Sequence, residues 1–190
     1  MIKIGILGDI GSGKSFVAKT FGFPVFNADE EVSKLYQKDK KIYAKLKKKL
    51  PKYIGSFPIK KKEISQAILS NNSNLGKIVN VIHFEIRKKM KLFIKKNKNK
   101  KILILDIPLL LENKINDKKY ILIFVDANKS EILRRLKKRK NFNDKLLKKF
   151  KKIQLSLDFK MRKSDFIIKN DFTKKTVKKS IKLILNKILK

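Results

Sequence analysis

The chain has 190 residues, 42% of them hydrophobic, and contains 13 Phe and no Cys. This length and apolar content suit a single domain over residues 1–190 and exclude global disorder. The lack of cysteine excludes a disulfide framework, a thiolate metal site and a cysteine nucleophile, so we expect a cytoplasmic protein. No stretch approaches the roughly 18 apolar residues of a membrane span, and we expect no membrane partner.

The formal net charge is +35. A basic field attracts polyanions, so nucleic-acid binding has to be considered. Only five of the 51 basic residues are arginines, whereas lysines are spread over nearly the whole length. Specific recognition of nucleic acid usually draws on the arginine fork and on aromatic stacking, and neither is concentrated here. We therefore expect solvated lysine faces that at most help to attract anionic nucleotides, and no specific nucleic-acid partner.

The first elements in chain order are a strand, a glycine-rich loop and a helix. Residues 2–7 form an apolar run that is typical of a buried parallel strand. A helix is predicted from Lys14 to about Gly22, since that glycine can end it. Residues 24–26 predict a second strand, followed by Asn-Ala-Asp at residues 27–29. This order is the start of a βαβ unit.

The middle of the chain, about residues 30–99, is predicted to be a helical insertion. Its pattern is lysine-rich and helical, with breaks near residues 51–58 and 70–74. It is too long for one crossover and lacks strand signals. Such insertions commonly carry substrate specificity.

Three later apolar runs predict further strands of a parallel sheet, at residues 102–105, 120–125 and 166–168. The last segment has an apolar stripe typical of a closing amphipathic helix. Strands that alternate with helices predict an α/β fold, with ligands at the carboxyl ends of the strands. The predicted parts of this single domain are a core (about 1–29, 100–136 and 164–190), the insertion (30–99), and a lid with its adjoining helix (137–163).

The run from Gly8 to Ser15 fills every fixed position of the Walker A pattern between a strand and a helix. Its glycines let backbone N–H groups and the helix N-terminus point at a phosphate. Lys14 can reach the β- and γ-phosphates, and Ser15 offers a hydroxyl to Mg²⁺. The sequence therefore predicts a P-loop NTPase fold that uses ATP and Mg²⁺. The residues expected to bind ATP are Gly8, Asp9, Ile10, Gly11, Ser12, Gly13, Lys14, Ser15 and Phe16.

Acidic residues follow three of the predicted strands. We expect Asp29 to close the second strand, beside the P-loop strand, and Asp106 and Asp126 to close the third and fourth. Asp106 is the second metal-ligand candidate, with a helix-capping or turn role as its alternative, and capping is favoured for Asp126. Arg139 follows the fourth strand, where a lid would supply a cation to the transferred phosphoryl group.

Beyond the Walker A loop, six further segments resemble the dephospho-coenzyme A kinases nearly end to end. The resemblance implies ATP-dependent phosphorylation of the ribose 3′-hydroxyl of dephospho-coenzyme A, giving coenzyme A and ADP. Its architecture of core, helical coenzyme A domain and lid matches the three predicted parts. The segments are Asn27–Asp29, His83–Arg87, Pro108–Glu112, Arg135–Arg139, Gln154 and Ser164–Asn170.

The resemblance also implies roles for residues. Lys14 and Arg139 would stabilise the phosphoryl group, and Asp29 would orient or deprotonate the 3′-hydroxyl. The chain departs from the family pattern at Asn27, where the family has Asp, and at Phe84, where it has Pro. The expected substrate-binding residues are Asp29, His83, Arg87, Pro108, Leu109 and Glu112.

Several alternatives stay open. His83 can be structural, Glu112 can cap its own turn, and Pro108 can fix the turn after its strand. Another small-molecule or nucleoside monophosphate P-loop kinase would have a similar core and lid. A nucleic-acid-binding P-loop ATPase would show tight, salt-sensitive binding and stimulated hydrolysis. We expect a small-molecule kinase that is a monomer or weak oligomer.

Overall fold

The structure, a computed structural model, describes residues 1–112, 120–140 and 142–189. Within these residues the fold is a five-stranded parallel sheet in the order β2-β3-β1-β4-β5, flanked by helices. The strands are β1 (Ile2–Gly8), β2 (Val25–Asn27), β3 (Ile102–Asp106), β4 (Tyr120–Asp126) and β5 (Phe166–Lys169). The helices are α1 (Lys14–Thr20), α2 (Ala28–Lys38), α3 (Lys40–Lys49), α4 (Lys61–Ser70), α5 (Asn72–Lys96), α6 (Lys129–Lys137), α7 (Asp144–Lys152), α8 (Leu157–Arg162) and α9 (Lys174–Ile188).

The five strands lie where the apolar runs predicted them. Strand β1 is central and pairs in parallel with β3 on one side and with β4 on the other. This register brings the carboxyl ends of the strands to one edge of the sheet. The P-loop, which leaves β1 after Gly8, therefore lies at that edge.

The predicted surroundings of the second strand are wrong in two respects. Strand β2 does not lie beside the P-loop strand, because β3 pairs with β2 and separates it from β1. Asp29 also does not close β2, which ends at Asn27, and is instead the second residue of α2. The acidic residues at positions 29–31 all lie in the first turn of α2, where they complement the positive end of the helix dipole.

The chain forms two units, each with its own packing. The first unit comprises Met1–Asn27, Lys96–Phe142 and Ile153–Lys190 and contains the whole sheet. Its core includes Ile4, Ile6 and Ile104, all fully buried, and helix α9 packs Val177, Ile181 and Ile184 into the same cluster. The apolar stripe predicted for the last helix thus covers the sheet.

The second unit comprises Ala28–Lys95 and Asn143–Lys152 and is helical over most of its described residues. Helix α7 is joined to the end of α4 by Lys149, whose ammonium donates to the carbonyls of Ile68 at 2.7 Å and Leu69 at 3.2 Å. A cation is favourable there, since the last carbonyls of a helix carry partial negative charge. The functional division into core, insertion and lid stays a prediction.

Across the described part of the chain, no helix has the length and apolar character needed to cross a bilayer.

The packing of α9 gives a stability prediction. Ile181 is 4% exposed and Leu183, on the same helix, is 58% exposed. Ile181→Ala should lower the free energy of unfolding by about 2–5 kcal/mol, because it leaves a cavity against the sheet. Leu183→Ala should change it by less than about 0.5 kcal/mol. Urea denaturation of both variants checks this, and equal losses would contradict the assigned face of α9.

Candidate functional site

The P-loop owes its shape to two glycines with left-handed backbone angles. Gly11 has φ 88° and Gly13, the residue before α1, has φ 89°, a region that L-residues with side chains rarely adopt. Space is also limiting, because a Cβ on Gly13 would lie 2.3 Å from Asn170 Nδ2. The loop therefore needs glycine at both positions, of which the Walker A pattern fixes Gly13.

Two neighbouring segments of the first unit pack against this loop. A Cβ on Gly11 would lie 3.0 Å from side-chain atoms of both Ile132 and Leu136, so helix α6 covers one side. On the other side, Asn170 Nδ2 donates to the Ser12 carbonyl at 2.8 Å. Asn170 was quoted above only as part of the family resemblance, and its contact with the loop was not predicted. An asparagine shortly after the apolar run at residues 166–168 is the available sequence signal.

Phe172, two residues after Asn170, also faces the loop. The ring of Phe172 lies beside Gly13, and the Arg135 guanidinium carbon is 4.2 Å from the centre of that ring. This is a cation–π contact. Phe172 has φ 65°, which a sequence pattern does not reveal for a non-glycine residue. The contact ties α6 to the segment that supports the loop.

Lys14 begins α1 and folds back over the loop. Its ammonium donates to the carbonyls of Asp9 at 2.6 Å and Gly8 at 3.2 Å. Asp9 Oδ1 in turn accepts the backbone N–H of Ile10 at 2.7 Å. The positive side chain thus lies at the N-terminus of a helix, where backbone N–H groups also favour an anion. This arrangement can hold a polyphosphate.

Ser15 and Asp106, the two expected metal ligands, lie in contact. The Ser15 hydroxyl donates to Asp106 Oδ2 at 2.5 Å, and Asn27 Nδ2 donates to the same oxygen at 2.8 Å. Asn27 and Asp106 stand opposite each other in the β2–β3 register. A hydroxyl and a carboxylate are hard oxygen donors of the kind that Mg²⁺ prefers. These residues fit the predicted cation.

Arg139 lies two residues beyond the end of α6. Its backbone N–H donates to the carbonyl of Leu136, whose side chain covers the P-loop at Gly11, and the Arg139 side chain is exposed. Arg139 therefore follows closely after the part of α6 that covers the P-loop. The neighbouring residue 141 lies outside the described part.

Glu112 lies in the same turn as Pro108 and Leu109, and it joins distant parts of the first unit. Its Oε1 accepts from the Lys160 ammonium at 2.7 Å and from the Leu155 N–H at 3.0 Å. Lys160 is 1% exposed and also donates to Gln154 at 3.1 Å. Among the residues that the structure describes, Glu112 Oε2 is buried and has no hydrogen-bond partner. The role of Lys160 was not predicted, because nothing local distinguishes it from the many exposed lysines.

The other predicted site residues lie in the second unit. Asp29 is exposed in the first turn of α2, while His83 and Arg87 lie one turn apart on α5. Within the described part of the chain, His83 Nε2 is buried without a hydrogen-bond partner. Burial lowers the pKa of His83 below its ordinary value of 6.5, and the like charge of Arg87 lowers it further. Phe84, which replaces the family's proline, is 68% exposed.

Comparisons with known proteins identify the family. A family model described as CoaE: Dephospho-CoA kinase matches residues 2–176. A protein of Wolbachia sp. subsp. Brugia malayi (strain TRS) named Dephospho-CoA kinase is 34% identical over 190 residues, covering 97% of this chain and 97% of its own. This relationship extends over nearly the whole of both sequences.

Solved structures show the same fold. A Thermus thermophilus crystal structure matches with a TM-score of 0.75 at 23% identity, covering 98% of this chain and 97% of that one. Dephospho-CoA kinase from Campylobacter jejuni matches with a TM-score of 0.63 at 21% identity, covering 98% and 96%. At these identities the likeness establishes the fold alone.

The fold predicted from the sequence is thereby confirmed, and the family resemblance is confirmed by the match to residues 2–176. A P-loop lies at the end of β1, and relatives match the chain over nearly its whole length. The chain therefore belongs to the dephospho-CoA kinase family and is a transferase that phosphorylates a hydroxyl group in the last step of coenzyme A biosynthesis.

Proposed function

We propose that this kinase transfers the γ-phosphoryl group of ATP to the ribose 3′-hydroxyl of dephospho-coenzyme A, releasing coenzyme A and ADP. The observation that carries the proposal is the P-loop, with the Lys14 ammonium folded back over it and the Ser15–Asp106 pair beside it. We include a cytoplasmic location in the proposal, together with the absence of a specific nucleic-acid partner and a monomeric or weakly associated state.

The first unit supplies the nucleotide side of the proposed reaction. The backbone N–H groups of residues 8–16 and the Lys14 ammonium would bind the β- and γ-phosphates. Ser15 and Asp106 would hold Mg²⁺, which neutralises charge on these phosphates when bound. Arg139 would stabilise the charge of the migrating phosphoryl group, and its planar fork suits three equatorial oxygens.

The acceptor side of the proposed reaction draws on the residues that the family resemblance implies. Asp29 would accept the hydrogen bond of the 3′-hydroxyl and orient it, or take its proton, for in-line attack on the γ-phosphorus. Of the remaining proposed substrate-binding residues, two lie on α5 and three in the turn after β3. They are His83, Arg87, Pro108, Leu109 and Glu112. The insertion at 30–99 would bind the rest of the substrate, and the segment at 137–163 would act as the lid.

The acceptor is tested by measuring Mg²⁺-dependent ATP consumption with dephospho-coenzyme A, adenosine, AMP, shikimate and single-stranded DNA. We expect turnover with dephospho-coenzyme A alone, and ³¹P NMR should show a 3′-phosphomonoester. Turnover with another hydroxyl acceptor would retain a P-loop kinase and reject the proposed substrate. Stimulation by DNA alone would reject the proposal altogether.

Lys14→Ala should lower kcat by at least about 10²–10³-fold, because it removes a preorganised positive charge from the transferred phosphoryl group. Lys182→Ala, an exposed lysine of α9, is the matched control and should keep full activity. Steady-state kinetics and circular dichroism of both variants make the comparison. A folded Lys14→Ala enzyme with normal turnover would remove Lys14 from the site.

His83 allows a direct test because it is the single histidine of the chain. Its NMR titration should give a pKa below 6.5, and Arg87→Gln should move that pKa upward by removing a like charge. Because the folded state resists protonation, the unfolded state gains more protons, and the free energy of unfolding should fall as pH drops below about 6.5. A pKa at or above 6.5 would contradict the described burial of His83 Nε2.

A further inference from the structure

The Asn27 side chain lies in the cation site that we propose, although no role was assigned to it above beyond its departure from the family pattern. Asn27 is 8% exposed and Asp106 is 3% exposed. They are the last residues of neighbouring parallel strands and stand directly opposite in the register. The register of the sheet therefore fixes the backbone of Asn27 beside that of Asp106.

Asn27 Nδ2 donates to Asp106 Oδ2 at 2.8 Å and lies 3.4 Å from Ser15 Oγ. The same carboxylate oxygen accepts the Ser15 hydroxyl at 2.5 Å. One oxygen of Asp106 thus receives donors from β2 and from α1. This pair of contacts sets the direction in which the carboxylate faces Ser15.

The residue type at position 27 matters for this arrangement. An amide can donate to a carboxylate, whereas an ionised aspartate can only accept. A buried carboxylate also needs donors to offset its lost hydration. An apolar residue at position 27 would leave Asp106 with one donor fewer and with more freedom to turn away from Ser15.

We propose that Asn27 is a positioning residue that sets the affinity of the nucleotide site for its divalent cation, by holding the Asp106 carboxylate against Ser15. Groups that hydrogen-bond a metal ligand in this way typically contribute 10–100-fold to metal affinity. The inference rests on the proposed function, since it requires Ser15 and Asp106 to hold a cation beside bound nucleotide.

The first experiment measures Mn²⁺ binding to the full-length protein saturated with ADP, by electron paramagnetic resonance. Asn27→Ala should weaken Mn²⁺ binding at least about tenfold. Its affinity for ADP in EDTA should stay within about twofold of the wild type, which also shows that the P-loop is folded. Equal weakening of ADP binding with and without the cation would indicate a merely structural role and overturn the proposal.

Asn74→Ala is the matched control. Asn74 is also a buried asparagine, 4% exposed, and donates to the carbonyl of Ala67 at 2.8 Å in the second unit. Its removal should lower stability, because a buried acceptor loses its donor, without changing Mn²⁺ affinity. If Asn74→Ala weakened Mn²⁺ binding as much as Asn27→Ala, the effect would be one of general destabilisation and the proposal would fail.

A double-mutant cycle tests whether Asn27 acts through Asp106. In an Asp106→Asn background, adding Asn27→Ala should cause less than about a twofold further change in Mn²⁺ affinity, because the two residues act as one unit. Independent, multiplicative losses would overturn the positioning role.

The Mg²⁺ dependence of the activity of Asn27→Ala provides a second test. Asn27→Ala should raise the Mg²⁺ concentration needed for half-maximal activity, while kcat at saturating Mg²⁺ should recover to within about threefold of the wild type. A low kcat that Mg²⁺ does not restore would overturn the proposal.

If the wild-type protein with ADP failed to bind Mn²⁺ at all, the cation site of the proposed function would fail. Normal Mn²⁺ binding by both the wild type and the Asn27→Ala variant would reject only the role of Asn27.

Discussion

The site depends on the parallel register that brings the ends of β1, β2 and β3 to one edge of the sheet. Through this register, a hydroxyl from α1 and an amide from β2 meet one oxygen of Asp106, although the three residues are far apart in sequence. A shift of one residue in β3 would turn Asp106 to the opposite face and leave the hydroxyl and the amide without it. The sheet is therefore the part of the fold that positions the cation ligands.

The strands and the loop could be predicted because their signals are local. Continuous apolar runs mark buried parallel strands, and the Walker A spacing specifies both the turn and the helix that follows. The order of the strands in the sheet could not be predicted in this way, because β2 and β3 look alike as apolar runs. We therefore did not expect β3 to separate β2 from β1. For the same reason Asp29 was placed at a strand end although it lies within the first turn of α2.

The residues that were missed in the site are those whose environment comes from distant parts of the chain. Lys160 is buried against Glu112 and Gln154, yet in sequence it resembles dozens of solvated lysines. Such a lysine is stable inside a protein only because a carboxylate offsets its desolvation. Phe172 adopts a left-handed backbone angle that no pattern of residue types signals outside glycine and asparagine.

The hydrogen bond from Asn170 to the Ser12 carbonyl has a consequence for how this protein is made. The two residues are 158 positions apart, so the P-loop gets one of its supports from a segment that is synthesised much later. Until then a carbonyl that ends up buried lacks its donor, which disfavours the final loop conformation. During synthesis, the final loop conformation is therefore disfavoured until β5 and Asn170 have emerged, and nucleotide binding is weaker before that point than after it.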